Sequence, residues 1–174
     1  MHLPWRDMPP GPGWPPISTS LTGAEANRLA ELADGQDVLE VGSAYGYSAC
    51  VMALAGARHV TAVDPHTWLG SYDAMLSNLD ACGVAGLVTV VRAASPGALA
   101  GLGPFGLAFI DGDHGAAAVM ADVEAALKVL APGGVLAVHD YLETCCCPGV
   151  QHALDALYPA GPSELVDTLF VVKT

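Results

Sequence analysis

Five short, nearly uninterrupted apolar runs punctuate the chain: VLEV at 38–41, HVTAV at 59–63, LVTVV at 87–91, LAFI at 107–110 and VLAVH at 135–139. They are rich in β-branched residues and lack polar alternation, the pattern of strands covered on both faces. Between them apolar positions recur at helical spacing, predicting helices over about 47–55, 70–82, 95–101 and 115–130, the last closed by the stop signal APGG. Strand and helix in alternation require crossover connections, hence a parallel sheet. An earlier helix is predicted from Ser20 or Thr22, either of which can cap it, with Glu25 near its first turn. Its buried stripe is Leu29, Ala30, Leu32 and Ala33, ending before Gly35. After the fifth run, PGVQHALDALYP predicts a last helix, and ELVDT and LFVVKT follow with almost nothing between them. Two strands joined so tightly must be antiparallel neighbours. The expected fold is α/β: a doubly wound sheet, mostly parallel with one antiparallel strand near the C-terminus, and helices on both faces.

With 174 residues, 52% of them apolar, the chain suits one domain with one buried core, and it shows no internal repeat. Residues 1–16 hold six prolines and two tryptophans, which favours an extended arm over helix or strand. The expected organisation is a proline-rich arm over 1–19, packed on the body through Trp5 and Trp14, and a domain over 20–174. Lys and Arg number 6 against 18 Asp and Glu, giving a net charge of -12 with no basic patch. Nucleic acid and anionic membranes are poor partners for such a surface. Every apolar run is interrupted well before the roughly 18 residues of a membrane span, and the first residues do not read as a secretory signal, so the expected location is cytoplasmic. The five cysteines, three of them consecutive at Cys145, Cys146 and Cys147, form neither a spaced disulfide framework nor a zinc-type pair. Adjacent cysteines point in different directions and read as small loop residues. His2, His66 and His152 are isolated and read as surface or turn residues, His66 being the nearest to any ligand.

Ligands of open α/β sheets bind outside the carboxyl ends of the strands. The first run ends in Glu40-Val41-Gly42-Ser43-Ala44-Tyr45-Gly46-Tyr47-Ser48, a glycine-bearing turn into a helix. Gly42 would let a ligand approach the backbone, and the N–H groups at the helix start could hold a carboxylate. Ala44 breaks the G-x-G-x-x-G fingerprint of dinucleotide binders, which argues against a dehydrogenase. The second run ends in Asp64, about 20 residues past Gly42, where a carboxylate can accept hydrogen bonds from a ribose diol. The fourth and fifth runs end in Asp111-Gly112-Asp113-His114 and His139-Asp140-Tyr141. Five ionisable side chains, Asp111, Asp113, His114, His139 and Asp140, are thus expected to converge. A divalent cation held by carboxylates and an imidazole is a physical reason to tolerate such a cluster.

With those residues in view, the chain resembles the class I S-adenosylmethionine-dependent methyltransferases over about residues 20–174, which implies a Rossmann-like sheet. VLEVGSAYGYSACVMA resembles the first motif of the catechol-type, metal-dependent O-methyltransferases. FIDGDH with GGVLAVHDY resembles the small-molecule methyltransferases acting on macrolide sugars and other natural products. The resemblance implies that Gly42, Ser43, Gly46 and Ser48 line the methionine end of the cofactor and that Glu40 sits beneath its amino group. It implies further that Asp64 holds the ribose hydroxyls and Ala93 flanks the adenine. Asp111, placed at the cofactor as well as the metal, joins His139 and Asp140 as metal ligands, and His114 takes the proton of the acceptor. His139 departs from the two oxygen ligands usual in relatives, and its nitrogen shifts preference from Mg²⁺ toward Mn²⁺, Fe²⁺ or Zn²⁺.

The expected activity is metal-assisted methyl transfer to a hydroxyl of a small molecule: a natural product, sugar or phenol. Two alternatives stand beside it, a metal-independent N- or O-methyltransferase and a non-catalytic module that keeps the cofactor fold. With no large lid in the sequence, the acceptor pocket must come from the arm, the loop at 141–149 and a second subunit if one is present. A short chain with an exposed arm leans toward a homodimer.

Overall fold

The computed structural model describes residues 15–142 and 147–174. Trp5, Trp14, Cys145, Cys146 and His2, with the expectations placed on them, lie outside the described residues. Seven strands form one sheet in the order β3-β2-β1-β4-β5-β7-β6. They are β1 (Asp37–Val41), β2 (His59–Val63), β3 (Val88–Val91), β4 (Phe105–Ile110), β5 (Leu130–Val138), β6 (Glu164–Val166) and β7 (Leu169–Lys173). The first five are parallel. β7 runs antiparallel to both β5 and β6, and is the one reversed strand that the tight connection required.

Five helices cover the sheet: α1 (Gly23–Ala33), α2 (Tyr47–Leu54), α3 (Ser71–Ala81), α4 (Ala116–Val129) and α5 (Pro148–Leu157). Alternate residues along each strand feed opposite layers. Val38, Val60, Leu107 and Phe109 pack under α1, α2 and α3, whereas Leu39, Val63, Ala108 and Ile110 pack under α4 and α5. Ile17, within the expected arm, is buried in the first of these layers. Thr22 caps α1 through a full capping box: its side chain accepts from the Glu25 N–H, and the Glu25 carboxylate accepts from the Thr22 N–H. No helix among the described residues is long and apolar enough to cross a membrane.

Three expectations are corrected. The helix over 95–101 is a single 3₁₀ turn, Gly97–Leu99, because Pro96 and the flanking glycines leave too few residues to propagate. The helix does stop before APGG, but the strand expected over 135–139 begins at Leu130 and takes in APGG, where Gly133 has a φ of +76° and the pairing with β4 shifts register between Phe105 and Leu107. Leu87 belongs to a 3₁₀ turn before β3.

Candidate functional site

At the carboxyl edge the tips of β1 and β4 meet across Gly42. A Cβ on this residue would stand 2.1 Å from the Asp111 carbonyl oxygen, and its φ of +84° is left-handed, so only glycine lets the two tips close. The turn that follows is tied to β2. Asp64 Oδ2 accepts from the N–H groups of Ser43 and Ala44, each at 2.9 Å, and Oδ1 accepts from the His66 N–H at 2.5 Å. The amides expected to hold a ligand carboxylate therefore go to Asp64. A carboxylate offers about four acceptor positions, and three are used here, which leaves one for a ligand hydroxyl.

A cleft of about 490 Å³ opens over these tips, lined by Gly42, Asp64, Trp68, Ser95, Asp111 and Asp122 among others. Of the residues predicted for the cofactor, Gly42, Asp64 and Asp111 line it. Glu40, Ser43, Gly46 and Ser48 are buried and do not, and the place foreseen for Ala93 is taken by Ala94 and Ser95. Glu40 is wholly buried, accepts a hydrogen bond from the Ser48 hydroxyl on Oε1, and leaves Oε2 without a partner. Burial pushes its carboxyl up to about 8, against the Ser48 hydrogen bond and with the nearby charges of Asp111 and Asp64. Burial in this pocket therefore favours the protonated form of Glu40.

At the tips of β4 and β5, beside the cleft that Asp111 lines, the structure gathers four of the five ionisable groups expected there. His139 Nδ1 stands 3.5 Å from Asp111 Oδ1 and 3.2 Å from Asp140 Oδ1, while His114 Nε2 stands 3.7 Å from Asp111 Oδ1 and 3.1 Å from Asp140 Oδ2. Asp113 does not join them: its Oδ1 accepts from the Gly115 N–H at 2.7 Å and fixes the turn into α4. One ligand atom from each of Asp111, His139 and Asp140 lies within 4.8 Å of the others. His139 is 3% exposed, yet its Nδ1 has no hydrogen-bond partner, and the buried Nε2 of His114 has none either. Two orphaned imidazole nitrogens directed among carboxylates suit a cation, so the residues present fit a divalent metal.

Without an ion, the two imidazoles themselves carry the positive charge that faces the carboxylates. Burial opposes ionisation of Asp111, but the nearby imidazoles of His139 and His114 hold its carboxyl well below the usual range. Burial likewise opposes a charge on His139, but Asp111, Asp140 and Glu25 raise it well above its ordinary value. His114 is raised, first through Asp111.

Sequence reasoning missed four residues. Glu25 reaches from α1 to accept at 3.1 Å from His139 Nε2 on one oxygen, and on the other it accepts from the Thr168 N–H and hydroxyl at 2.8 and 2.7 Å. Its capping-box role was visible in T-x-x-E, but its long-range contact was not. Cys147, read as a small loop residue, is buried with Sγ 3.1 Å from His114 Nδ1. Trp68, half exposed beside Tyr45, gives the cleft an aromatic wall that low aromatic content had concealed. Asp122 is buried at the cleft from α4, and burial pushes its carboxyl up. His66, read as a surface or turn residue, lies in the loop after β2 with a φ of +50° but is 5% exposed, with Nδ1 3.2 Å from the Ser71 hydroxyl.

A sheet ordered 3-2-1-4-5-7-6 with the last strand reversed, and a cleft over the tips of its first, second and fourth strands, defines the class I, Rossmann-like methyltransferase fold. Residues 39–141, more than half of the chain, match the family model described as a methyltransferase domain, and the chain belongs to that family. Among solved structures it is similar to TomG, an O-methyltransferase of Streptomyces achromogenes involved in tomaymycin synthesis and solved with S-adenosylmethionine. The TM-score is 0.71 at 20% identity, covering 90% of this chain and 82% of TomG. An O-methyltransferase of Bacillus cereus, solved with S-adenosylhomocysteine, gives 0.70 at 20% identity, covering 88% and 82%. CalS11, a TDP-rhamnose 3'-O-methyltransferase of calicheamicin biosynthesis, gives 0.63 at 22% identity, covering 85% and 75%. At these identities the likeness is one of fold. No curated protein matches the chain.

Proposed function

We propose that the protein transfers the methyl group of S-adenosylmethionine to a hydroxyl of a small molecule, assisted by a divalent cation. One observation carries this reading: the cleft and the Asp111, His139, Asp140 set meet, with Asp111 belonging to both. A methyl donor bound in the cleft would lie beside groups able to bind and deprotonate an acceptor. S-adenosyl compounds occupy the structures of TomG and of the Bacillus cereus enzyme, which supports the choice of donor.

The remaining acceptor position on Asp64 is available to a ribose hydroxyl, and Trp68 offers an apolar wall. A divalent cation held by Asp111, His139 and Asp140 would supply Lewis acidity that lowers the pKa of the acceptor hydroxyl. Glu25 fixes the imidazole of His139 by engaging Nε2, which turns Nδ1 toward the two aspartates. His114 takes the acceptor proton, and Asp140, 3.1 Å from its Nε2, stabilises the resulting imidazolium. The methyl moves from sulfonium sulfur to oxygen as the S–C bond breaks. Alignment of the two partners in a water-poor cleft contributes up to roughly 7 to 11 kcal/mol in favourable cases.

A second reading, transfer without a metal, is favoured by the raised pKa of His139, because a protonated imidazole there would itself offset part of the charge of Glu25, Asp111 and Asp140. Methyl transfer to a panel of phenols, sugars and hydroxylated polyketides, with and without chelator, separates the two. The metal-assisted reading expects loss of product on chelation and recovery on adding Mn²⁺, Fe²⁺ or Mg²⁺. In the same assay His114→Ala should lower turnover by about 100-fold or more while leaving affinity for S-adenosylhomocysteine within a few-fold. Equal losses in both would remove His114 as the base.

A further inference from the structure

Beyond the Asp111 and His139 set, a second group of ligating atoms meets at the same strand tips. Cys147 Sγ lies 3.1 Å from His114 Nδ1 and 3.6 Å from Asp140 Oδ2, and one ligand atom from each of His114, Asp140 and Cys147 lies within 4.8 Å of the others. Asp140 serves both groups with separate oxygens, Oδ1 toward His139 and Oδ2 toward His114 and Cys147. The placement of Cys147 is built into the fold. It directly precedes Pro148, the first residue of α5, and the first turn of that helix presses on the His114 loop. A Cβ on Gly149 would stand 2.3 Å from the His114 carbonyl oxygen, so the absent side chain lets α5 bring the thiol against the imidazole.

We propose that His114, Asp140 and Cys147 form a thiolate-containing site for a borderline-soft divalent cation of the Zn²⁺ type, separate from the oxygen-rich set but sharing Asp140. The donor chemistry selects the ion. Zinc binds thiolate sulfur at about 2.3 Å and imidazole nitrogen at about 2.0 Å, which puts tetrahedral neighbours about 3.5 Å apart. The observed separations of 3.1 and 3.6 Å from Sγ bracket that value. One thiolate and one carboxylate neutralise the dication, and three protein ligands leave a position open to water. Mg²⁺, which demands oxygen ligands, is rejected by the same set. Asp111, which lines the cleft, stands 3.7 Å from His114, whose side chain is 40% exposed, so the site adjoins the cleft and opens to solvent beside it. A cation here engages His114 and withdraws it from proton transfer, so zinc is an inhibitor of methyl transfer. That consequence rests on the proposed function; the site itself does not.

The test uses the full chain, stripped of metal, titrated with Co²⁺ and then Zn²⁺. The wild type should develop a near-ultraviolet sulfur-to-cobalt charge-transfer band that saturates at one equivalent and is abolished by Zn²⁺. Cys147→Ser should lose the band. Zn²⁺ affinity should fall by more than about 10-fold in Cys147→Ser and in His114→Ala, which keeps the thiol, because removing a direct ligand exceeds the usual loss of an outer partner. Asp111→Asn should keep the band, which separates this site from the proposed catalytic set, and so should the double variant Cys145→Ser/Cys146→Ser. A wild type without the band, a band undiminished in Cys147→Ser, or a band lost in the double variant would overturn the proposal.

Discussion

Glu40 in β1 and Gly42 just past its end show how much of the site is decided by single side chains. Adding one methyl group at Gly42 drives it into the Asp111 backbone at 2.1 Å, where nothing flexible can yield. Gly42→Ala should destabilise the fold by about 1–3 kcal/mol and weaken S-adenosylhomocysteine binding in parallel, measured by thermal melting and titration. Glu40 acts through ionisation. Its carboxyl stands at about 8 in the folded chain against an ordinary 4.5, so its contribution to stability is full below pH 4.5 and is lost as pH rises through 8. Each pH unit in that window removes about 1.4 kcal/mol. Glu40→Gln keeps the shape and abolishes the titration, so its stability should decline less than that of the wild type between pH 5 and 8. Parallel melting curves across that range would show Glu40 ionised in the fold. Both residues stood out in the sequence, Gly42 from its place in the turn and Glu40 through resemblance. The burial of Glu40 behind the cleft did not, because it depends on the side chains that α2 packs over β1.

At the scale of elements, the site is held by contacts between segments far apart in the chain. Glu25 joins α1 to His139 after β5 and to Thr168 before β7, so the first helix buttresses a ligand on the fifth strand. Burial alone would raise the Glu25 carboxyl, but the His139 hydrogen bond and charge, with Thr22 and Thr168, bring it down to about 2. Glu25 therefore stabilises the fold above about pH 4.5, and this support fades as pH falls through 2. Glu25→Gln should leave α1 capped but free the imidazole of His139, lowering metal affinity by about 10- to 100-fold. A fluorescence titration with Mn²⁺ reads this directly, and unchanged affinity would reduce Glu25 to a capping residue. The strands were legible because double-sided burial forces continuous apolar runs, and β2 falls on HVTAV end to end. The 3₁₀ turn at Gly97–Leu99 and the strand through APGG were not, since both depend on how the chain is received by its neighbours. Periodicity reports which face is buried; it does not report that α5 brings a cysteine to a histidine on another loop.

For the molecule as a whole, topology does most of the functional work. Parallel strands put the ends of β1, β2 and β4 along one edge, and the order 3-2-1-4-5 brings β4 and β5 side by side, so the two acidic and histidine-bearing tips become one cluster. Alternating strands and helices were enough to foresee this convergence. The sequence did not show which residues face the cleft: Asp64 turns two of its hydrogen bonds inward to the Ser43 and Ala44 amides, and Trp68 comes from a connection without periodic signal.

The central claim, a donor cleft adjoining a cation site, is tested most directly by calorimetric titration of metal-stripped protein with S-adenosylhomocysteine, repeated with Mg²⁺, Mn²⁺ or Fe²⁺ and with each ion alone. The account predicts nucleoside binding together with separate uptake of an ion that Asp111→Ala abolishes. Nucleoside binding with no ion uptake would contradict the cation site, and no nucleoside binding would contradict the methyl-donor cleft itself.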